Sequence, residues 1–447
     1  MIASWIQSRR IDAPMHVSPL EWSHGRDWMF DMGVLKHRTG GFFSIEGIKL
    51  DRRFEDQYPV NMPIINQPEI GVLAFLITRT KEGPRWLLQA KAEPGSEGYV
   101  QVGPTVQATQ SNYLRRHGGE ETAYLEYVTG DRQSYLSWSQ QSEQGSRFLG
   151  KFNSNIVCEI DEEIAPHNRD WKWVDCQTLR SALAQDYIVN TDARSVLVSS
   201  DWRYLCEDGQ PFSSKRSGPQ TTKLSTDWGS LTERELLFQS YEKRELSVES
   251  VNAWLAPHHH PVGCSYEKVA LEALTGWEIM QNAILPQPGI AGFEVRNYQV
   301  EAPRREVRQW HQPLVLNTLL ERYYLFCARI DDTIKICLAL SDEPGFDGRV
   351  QLGPTWQSDR ANPSWAQKCI EENLVEPILG VHQSDEGGRF MAGHGRYEFV
   401  EIASRHVDRS AKDCLWLSLG EAQQVCLAPG LVTNEGRSTM SLILTLL

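Results

Sequence analysis

Alternating apolar and polar positions predict several short strands along this chain. IGVLAFLITRT and RWLLQAKAE alternate in this way around the turn KEGP, and YYLFCARIDD and TIKICLALSD repeat the arrangement later. VQVGPT alternates up to a Gly-Pro stop, and FNSNIVCEI and YEFVEIA predict further strands. Helical spacing in WVDCQTLRSALAQD and WLSLGEAQQVCLA predicts one helix each. The pattern indicates an α+β fold in which helices flank a mixed sheet.

The same pattern occurs twice, which predicts an internal duplication. EPGSEGYVQVGPTVQ, from Glu93, matches EPGFDGRVQLGPTWQ, from Glu343, and QSEQGSRF, from Gln141, matches QSDEGGRF, from Gln383. Extending the match predicts domains over residues 1–202 and 244–447. The Gly-, Ser- and Pro-rich stretch between them predicts a linker over 203–243, and LTERELLFQSYEKRELSVESVNAWL predicts helix at the start of the second copy.

Composition and charge exclude several classes of function. The chain has 447 residues and a net charge of −13, so it lacks the basic surface that a nucleic-acid partner requires. Its strongest apolar run, GVLAFLI, is far shorter than the roughly 20 residues that cross a bilayer. MIASWIQSRR does not resemble a secretory signal, and the nine cysteines include no CxxC pair, so we expect a cytoplasmic protein without a disulfide framework.

One region resembles a known enzyme family. QVGPTVQATQSNYLRRHGG, followed by YLEYV and QSEQGSRFLGKFNSNIVCE, is similar to the signature region of NDP-hexose 2,3-dehydratases. The resemblance implies two tandem Nudix-like α/β/α sandwich domains, a homodimer, and dTDP-4-keto-6-deoxyglucose as the substrate. It also implies that water is lost across carbons 2 and 3, giving a 3,4-diketo-2,6-dideoxy sugar. The second copy departs from the signature, so we expect the first copy to supply most of the catalytic pocket.

No cofactor or metal is expected for this chemistry. The ketone at C4 already acidifies the proton on C3, and the net reaction moves no hydride. The sequence contains neither a GxGxxG after a strand nor a GxxxxGK[ST]. PHHHP, at Pro257 to Pro261, has no acidic or cysteine partner at ligand spacing, so it is interpreted as a solvated loop.

Three residues of the signature are candidates for proton transfer. His117 is the first candidate for the general base, although a solvated loop histidine fits the sequence as well. Tyr113 would protonate the leaving hydroxyl or the carbonyl oxygen, or is instead a packing tyrosine. Glu143 would act as base or orient His117; a surface carboxylate is the alternative.

The remaining polar residues of the motifs suit substrate binding. Arg147 and Lys151 would bind the diphosphate, but Arg389 recurs in the second copy, which favours either nucleotide binding in both halves or a structural ion pair. Gln101, Thr105 and Gln107 would share one strand face, to bind the base or sugar or to satisfy backbone. The full set of binding candidates is Gln101, Thr105, Gln107, Asn112, Arg147, Lys151, Asn153 and Asn155, with Gln351, Thr355, Gln357 and Arg389 in the second copy.

Two other functions remain open on the sequence. A Nudix hydrolase of nucleotide sugars would hold Mg²⁺ on clustered carboxylates, but Glu120, Glu121 and Glu126 lack the Arg-Glu step and the spacing of that motif, as do the acids of CIEENLVEP. A non-catalytic nucleotide-sugar-binding protein is the second alternative, since tandem domains with one degenerate copy allow it.

Overall fold

The computed structural model describes residues 2–12, 14–109, 121–130, 134–213, 228, 230–303 and 307–447. Strands of the first half, in chain order, are β1 His16–Pro19, β2 Trp28–Asp31, β3 Val34–His37, β4 Ser44–Leu50, β5 Asn61–Asn66, β6 Gly71–Thr80, β7 Gly83–Ala92, β8 Val100–Gly103, β9 Val106–Ala108, β10 Tyr135–Ser142, β11 Phe148–Leu149, β12 Phe152–Glu159 and β13 Trp171–Asp175. Those of the second half are β14 Tyr266–Val269, β15 Trp277–Ile279, β16 Ala283–Pro286, β17 Phe293–Glu301, β18 Gln309–Asn317, β19 Glu321–Ile330, β20 Thr333–Asp342, β21 Val350–Gly353, β22 Trp356–Gln357, β23 Val375–Ser384, β24 His394–Ile402 and β25 Cys414–Ser418. The α-helices are α1 Ile2–Asp12, α2 Leu125–Thr129, α3 Cys176–Leu183, α4 Thr191–Val198, α5 Leu231–Glu242, α6 Val248–Leu255, α7 Ser364–Glu371, α8 Leu419–Leu427 and α9 Asn434–Met440.

Two central sheets, one in each half, have the same strand order. The first runs β10-β12-β6-β7-β13, with β8 beside β7 and β9 beside β6. The second runs β23-β24-β19-β20, with β21 and β25 beside β20 and β22 beside β19. In each, one parallel pair, β12 with β6 or β24 with β19, lies among antiparallel neighbours. The prediction of an α+β fold with mixed sheets is therefore confirmed.

Two side sheets link the halves by exchanging strands. β2 to β5 and β11 form the first side sheet, and β15 to β18 form the second. β1, from the first half, pairs with β17, while β14, from the second half, pairs with β4. Each side sheet therefore contains one strand from the opposite half.

The main hydrophobic core is shared by both halves. Trp86 and Leu73 belong to the same buried cluster as Leu325 and Ile336. Helices α4 and α9 are buried along their whole length, and the Thr191 hydroxyl donates to Asn434 Oδ1 at 3.0 Å where the two helices begin. A continuous core of this kind makes the stability of each half depend on the other.

The structure corrects two details of the predicted elements. WVD and WLS are not helical, because Asp175 and Ser418 cap the helices that follow them, and the apolar residues before the caps join β13 and β25. VQVGPTVQ forms two strands rather than one: Pro104, which has no N–H to donate, lies between β8 and β9. The helix predicted from LTERELLFQSYEK is present as α5, and its Leu237 and Tyr241 belong to the shared core.

The described part of the chain contains no helix that is long and apolar enough to span a membrane.

Candidate active site

A cavity of about 680 Å³ lies where the first central sheet meets the first side sheet. Its floor comes from the first half, including Lys91, Gln107 and Asn153, and residues of the second half complete one wall. The second-half residues in this wall are Val307, Trp310, His311, Gln312, Glu386, Gly388 and Arg389. The cavity is therefore built by both halves.

Seven carboxyl groups and three cations line this cavity. Glu93, Glu143, Asp192 and Glu386 form one interacting cluster. Asp27, Glu121 and Asp170 lie elsewhere in the lining, and the cations are Lys91, Lys151 and Arg389. Burial raises the pKa of Asp192 well above its usual range, and the charges of Glu143, Glu386 and Glu93 raise it further. A site of this composition favours proton transfer, because buried carboxyl groups with raised pKa values are typical of acid–base sites.

Glu143 is held rigidly between amides of both halves. Asn153 Nδ2 donates to Glu143 Oε1 at 2.6 Å, and Asn434 Nδ2 donates to Oε2 at 2.9 Å. The Glu143 N–H donates to the Lys151 carbonyl at 2.9 Å. Burial raises the pKa of Glu143, against the opposing charges of Arg437 and Lys151. This carboxyl has a fixed position and a cationic neighbour.

Lys151 is a buried ammonium group in the same cavity. Burial lowers its pKa to about 8, although the charge of Glu143 opposes the shift. Lys151 Nζ donates to the Glu69 carbonyl. A lysine of this kind is charged at neutral pH and gives up its proton readily, as an acid catalyst must.

Gln107 and Thr105 also line the cavity, but each is engaged with neighbouring groups. Gln107 Nε2 donates to Glu93 Oε1 at 2.7 Å, and its Oε1 accepts from Asn190 Nδ2 at 3.1 Å. The Thr105 hydroxyl accepts from the Leu76 N–H at 2.9 Å and donates to the Leu87 carbonyl. Both side chains therefore brace the floor of the cavity.

Three predicted binding residues lie outside this cavity. Gln101 Nε2 donates to Ser384 Oγ at 2.7 Å, and Asn155 Nδ2 donates to Ser195 Oγ at 2.8 Å. Gln101 and Gln107 thus contact different neighbours, because the two lie on separate strands. The Arg147 guanidinium stacks 4.1 Å from the centre of the Phe293 ring in the second half.

Arg389 takes the place that the sequence predicted for Arg147. The QSDEGGRF turn of the second half crosses to the EPG turn of the first, where the Gly95 N–H donates to the Gly387 carbonyl at 2.8 Å. A Cβ at Gly95 would lie 1.5 Å from the Phe390 carbonyl oxygen, so only glycine permits this approach. Arg389 then lies 4.3 Å from the centre of the Phe43 ring and lines the cavity of the first half.

The corresponding pocket of the second half is nearly filled, with a volume of about 10 Å³. Arg360 lies beside it and pairs with Glu343 at 2.5 Å and with Glu435 at 3.4 Å. These acids correspond to Glu93 and Asp192 of the first half.

The predicted binding residues of the second copy, Arg389 apart, form internal contacts. Gln351 Oε1 accepts from Ser142 Oγ at 2.8 Å, and Gln357 Nε2 donates to Asp359 Oδ1 at 2.6 Å. The Thr355 hydroxyl accepts from the Phe326 N–H at 2.9 Å and donates to the Cys337 carbonyl at 2.5 Å. Thr355 thus repeats the role of Thr105 in the first half.

Comparison with known proteins identifies the family. The family model for NDP-hexose 2,3-dehydratase matches residues 1–199 and 248–443. The chain belongs to this family. It is similar to a protein of Streptomyces violaceoruber named dTDP-4-dehydro-6-deoxy-alpha-D-glucopyranose 2,3-dehydratase, with 31% identity over 93% of this chain and 89% of that protein. Proteins of the same name from Saccharopolyspora spinosa and Amycolatopsis orientalis are 28% and 27% identical, over 98% and 90% of this chain and 89% and 81% of their own lengths.

Of the predicted site residues of this 2,3-dehydratase family member, the cavity brings together Thr105, Gln107, Glu143, Lys151, Asn153 and Arg389. His117, Tyr113 and Asn112 lie outside the described residues. Their roles stay predictions.

Sequence reasoning missed five acidic residues of the cavity: Asp27, Glu93, Asp170, Asp192 and Glu386. Glu93 lies in the repeated EPG turn, and Asp192 precedes the matched Arg194-Ser195 pair by two positions. Glu386 stands where the first copy has Gln144, so comparing the copies for acids present in only one would have indicated it.

Proposed function

We propose that this protein removes water across C2 and C3 of dTDP-4-keto-6-deoxy-D-glucose, forming the 3,4-diketo-2,6-dideoxy sugar. Family membership supports the reaction, and the printed names of the three relatives support the substrate. The observation that carries the proposal is the cavity itself, in which the carboxyl groups of Glu143 and Glu386 act on the buried ammonium of Lys151. Such a cavity supplies both the base and the acid that an elimination needs.

The elimination proceeds in two proton transfers. A carboxylate takes the proton from C3, and the electron pair of that C–H bond moves toward the C4 carbonyl oxygen. The pair then returns to form the C2=C3 bond as hydroxide leaves C2 with a proton from a cavity acid. The resulting enol becomes a ketone when C2 gains a proton and the C3 hydroxyl returns one to the cavity acid, so one water is lost and nothing is oxidised or reduced overall.

Lys151 is the cavity group best suited to the negative oxygen of this path. Its ammonium group stabilises charge that develops on O4, and buried charge–charge interactions are strong because little water screens them. Glu143 keeps Lys151 protonated: it lies close enough to oppose the lowering of the lysine pKa. The amide bonds from Asn153 and Asn434 fix Glu143 in this role.

The nucleotide has binding groups in the same cavity. Trp28 and Phe43 pack with ring centres 4.6 Å apart in its wall, and His37 and Phe42 lie 4.7 Å apart beside them. Aromatic faces of this kind stack with a nucleobase. Arg389 presents a guanidinium for the diphosphate next to this wall.

We also propose that the two halves are Nudix-like units from one duplication, with domains at 1–202 and 244–447. The identical strand order of the two central sheets supports this origin. A homodimer rests on the family resemblance, and a cytoplasmic location fits an enzyme that acts on a nucleotide sugar.

Turnover of the substrate tests the proposed function. We expect the purified protein, given dTDP-4-keto-6-deoxyglucose and then borohydride, to yield a reduced dTDP-sugar one water lighter than the reduced substrate, as measured by mass spectrometry. Unchanged sugar in the presence of bound dTDP would indicate a binding protein. Mg²⁺-dependent release of a nucleoside monophosphate would indicate a hydrolase. Either result would contradict the proposal.

A further inference from the structure

We propose that Glu386, supplied by the second half, is the general base that removes the C3 proton in the first-half cavity. The inference rests on the proposed dehydration and names the group that starts it. It implies that neither half alone contains a complete catalytic site.

Glu386 is the most accessible of the four clustered carboxyl groups. Of the other acids in the lining, Asp27 pairs with Arg38 at 3.5 Å and Asp170 pairs with Arg9 at 3.7 Å. Glu93, Glu143 and Asp192 are only 6%, 7% and 4% exposed, whereas Glu386 is half-buried. A base must touch the carbon-bound proton that it abstracts, so it needs an open path to the substrate. This requirement favours Glu386 over the other three.

Hydrogen bonding separates Glu386 from Glu93 and Glu143, whereas burial alone separates it from Asp192. Glu93 accepts from Gln107, and Glu143 accepts from Asn153 and Asn434, so the carboxylates of both are engaged with protein amides. Within the part of the chain that the structure describes, no donor bonds to the Glu386 carboxylate. Its oxygens are therefore available to a substrate proton.

The turn that carries Glu386 is shaped around its carboxylate. The backbone N–H groups of Arg389 and Phe390 both donate to the Glu386 carbonyl, at 3.1 and 3.0 Å. A Cβ on Gly388 would lie 2.3 Å from Glu386 Oε1, so any larger residue there must displace the carboxylate. Glycine at 388 permits the position that Glu386 occupies.

The corresponding turn of the first half carries no such acid. There Gln144 and Ser146 replace Glu386 and Gly388, and both line the filled pocket of about 10 Å³. Gln144 Nε2 donates to Asp385 Oδ1 at 3.1 Å, which is a structural contact. An amide cannot abstract a proton, so the acid and the glycine occur together only at the open cavity.

Charge near Glu386 suits a base at neutral pH. Burial raises the pKa of Glu386 to about 7, with the charges of Glu93 and Glu143 adding to the shift and those of Arg389 and Lys151 opposing it. The carboxylate that takes the C3 proton thus becomes a carboxylic acid of nearly neutral pKa. That acid then returns its proton to C2 as the enol becomes a ketone, which regenerates the base.

Substitution of Glu386 tests the inference. We expect Glu386→Gln to lower kcat by about 100-fold or more, because a positioned base contributes 10² to 10⁴ in rate. The Kd of dTDP, measured by calorimetry, stays within about threefold of wild type, because the nucleotide does not need the base. Glu386→Asp recovers part of kcat, and the exposed Glu376→Gln serves as the matched control with wild-type kcat.

A second variant keeps the test decisive if Glu386→Gln folds poorly. Gly388→Ala keeps the carboxyl but displaces it, so we expect kcat to fall with an unchanged Tm, because the displaced atom is the end of a flexible side chain. A kcat within about threefold of wild type in both folded variants, or a loss confined to dTDP affinity, would overturn the inference. An inactive wild-type protein would instead refute the proposed dehydration.

Discussion

Lys151 shows how burial changes the acidity of an ordinary side chain. A solvated lysine has a pKa of about 10.4, so it is a weak proton donor at neutral pH. Burial lowers the pKa of Lys151 to about 8, while Glu143, Glu386 and Glu69 oppose the shift and Arg389 adds to it. The ammonium form therefore predominates at neutral pH but is close to the point at which it transfers its proton.

Substituting Lys151 should slow the chemical step. We expect Lys151→Met to lower kcat by about 100-fold, since loss of one group that stabilises a developing oxyanion costs 10² to 10³. Lys81→Met, in an exposed turn, is the matched control. Retention of wild-type kcat by Lys151→Met would show that another group stabilises O4.

The rate should also depend on pH in a way set by these two residues. Glu386 is protonated, and inactive as a base, below about pH 7, whereas Lys151 loses its charge above about pH 8. We expect kcat/KM to rise to a maximum between these values and to fall on both sides. The alkaline fall should disappear in the residual activity of Lys151→Met. If His117→Asn removes the acid limb and Glu386→Asp leaves it in place, His117 is the base.

At the level of elements, buried arginines tie each half to the other. Arg194, on α4, donates to the Val189 carbonyl at 2.6 Å and to the Ser384 carbonyl at 2.8 Å. Arg437, on α9, repeats the pattern with the carbonyls of Val432 and Ser142. Each arginine fastens its helix to the strand that precedes the QSxxGxRF turn of the opposite half. The QSDEGGRF turn brings Glu386 and Arg389 to the cavity, and the QSEQGSRF turn brings Glu143, so these contacts contribute to its shape.

Removing one tie should destabilise the whole molecule. We expect Arg194→Met to lower the free energy of unfolding by about 3 kcal/mol, because buried carbonyls lose charged donors worth 1.5–3 kcal/mol each. Urea unfolding followed by circular dichroism measures the change. Arg409→Met, which removes an exposed pair with Asp331, should cost less than about 1 kcal/mol. Equal stability of the two variants would contradict a structural role for Arg194.

Sequence patterns predicted the central strands well but not the path between the halves. β6, β7, β19 and β20 follow the alternation of IGVLAFLITRT, RWLLQAKAE and their counterparts closely, because strand burial repeats with a period of two. The crossing of QSEQGSRF and QSDEGGRF to the opposite half depends on contacts between residues far apart in sequence, such as Gly95 with Phe390. No local pattern encodes those contacts, so Arg147 was assigned to the cavity that Arg389 occupies.

At the scale of the whole molecule, the open cavity of the first half and the nearly filled pocket of the second half are lined by different side chains. The first-half cavity has Lys151 and Asn153 where the second half has Gly393 and Gly395, so the second pocket lacks both the ammonium and the amide. Arg360 instead neutralises Glu343 and Glu435 there. The molecule therefore has an open, charged cavity in the first half and an internal ion pair at the corresponding position of the second half.

The variant Arg360→Ala tests whether the ion pair of the second half affects only stability and not turnover. We expect this variant to keep kcat within about twofold of wild type, because the open cavity of the first half keeps all its groups. We also expect a loss of about 3 kcal/mol in unfolding free energy, because a broken buried pair leaves an uncompensated charge. Burial already raises the pKa of Glu435 to about 7 against the charge of Arg360, so loss of the arginine raises the pKa further.

The destabilisation by Arg360→Ala should itself depend on pH. A carboxyl whose pKa is higher in the folded than in the unfolded state binds protons preferentially when folded, so it favours folding more as the pH falls. The stability gap between the variant and wild type should therefore be smaller at pH 6 than at pH 8 in urea unfolding. A gap independent of pH would show that packing, and not the charge of Glu343 and Glu435, makes Arg360 important. A gain in turnover would show that the second pocket is a closed catalytic site.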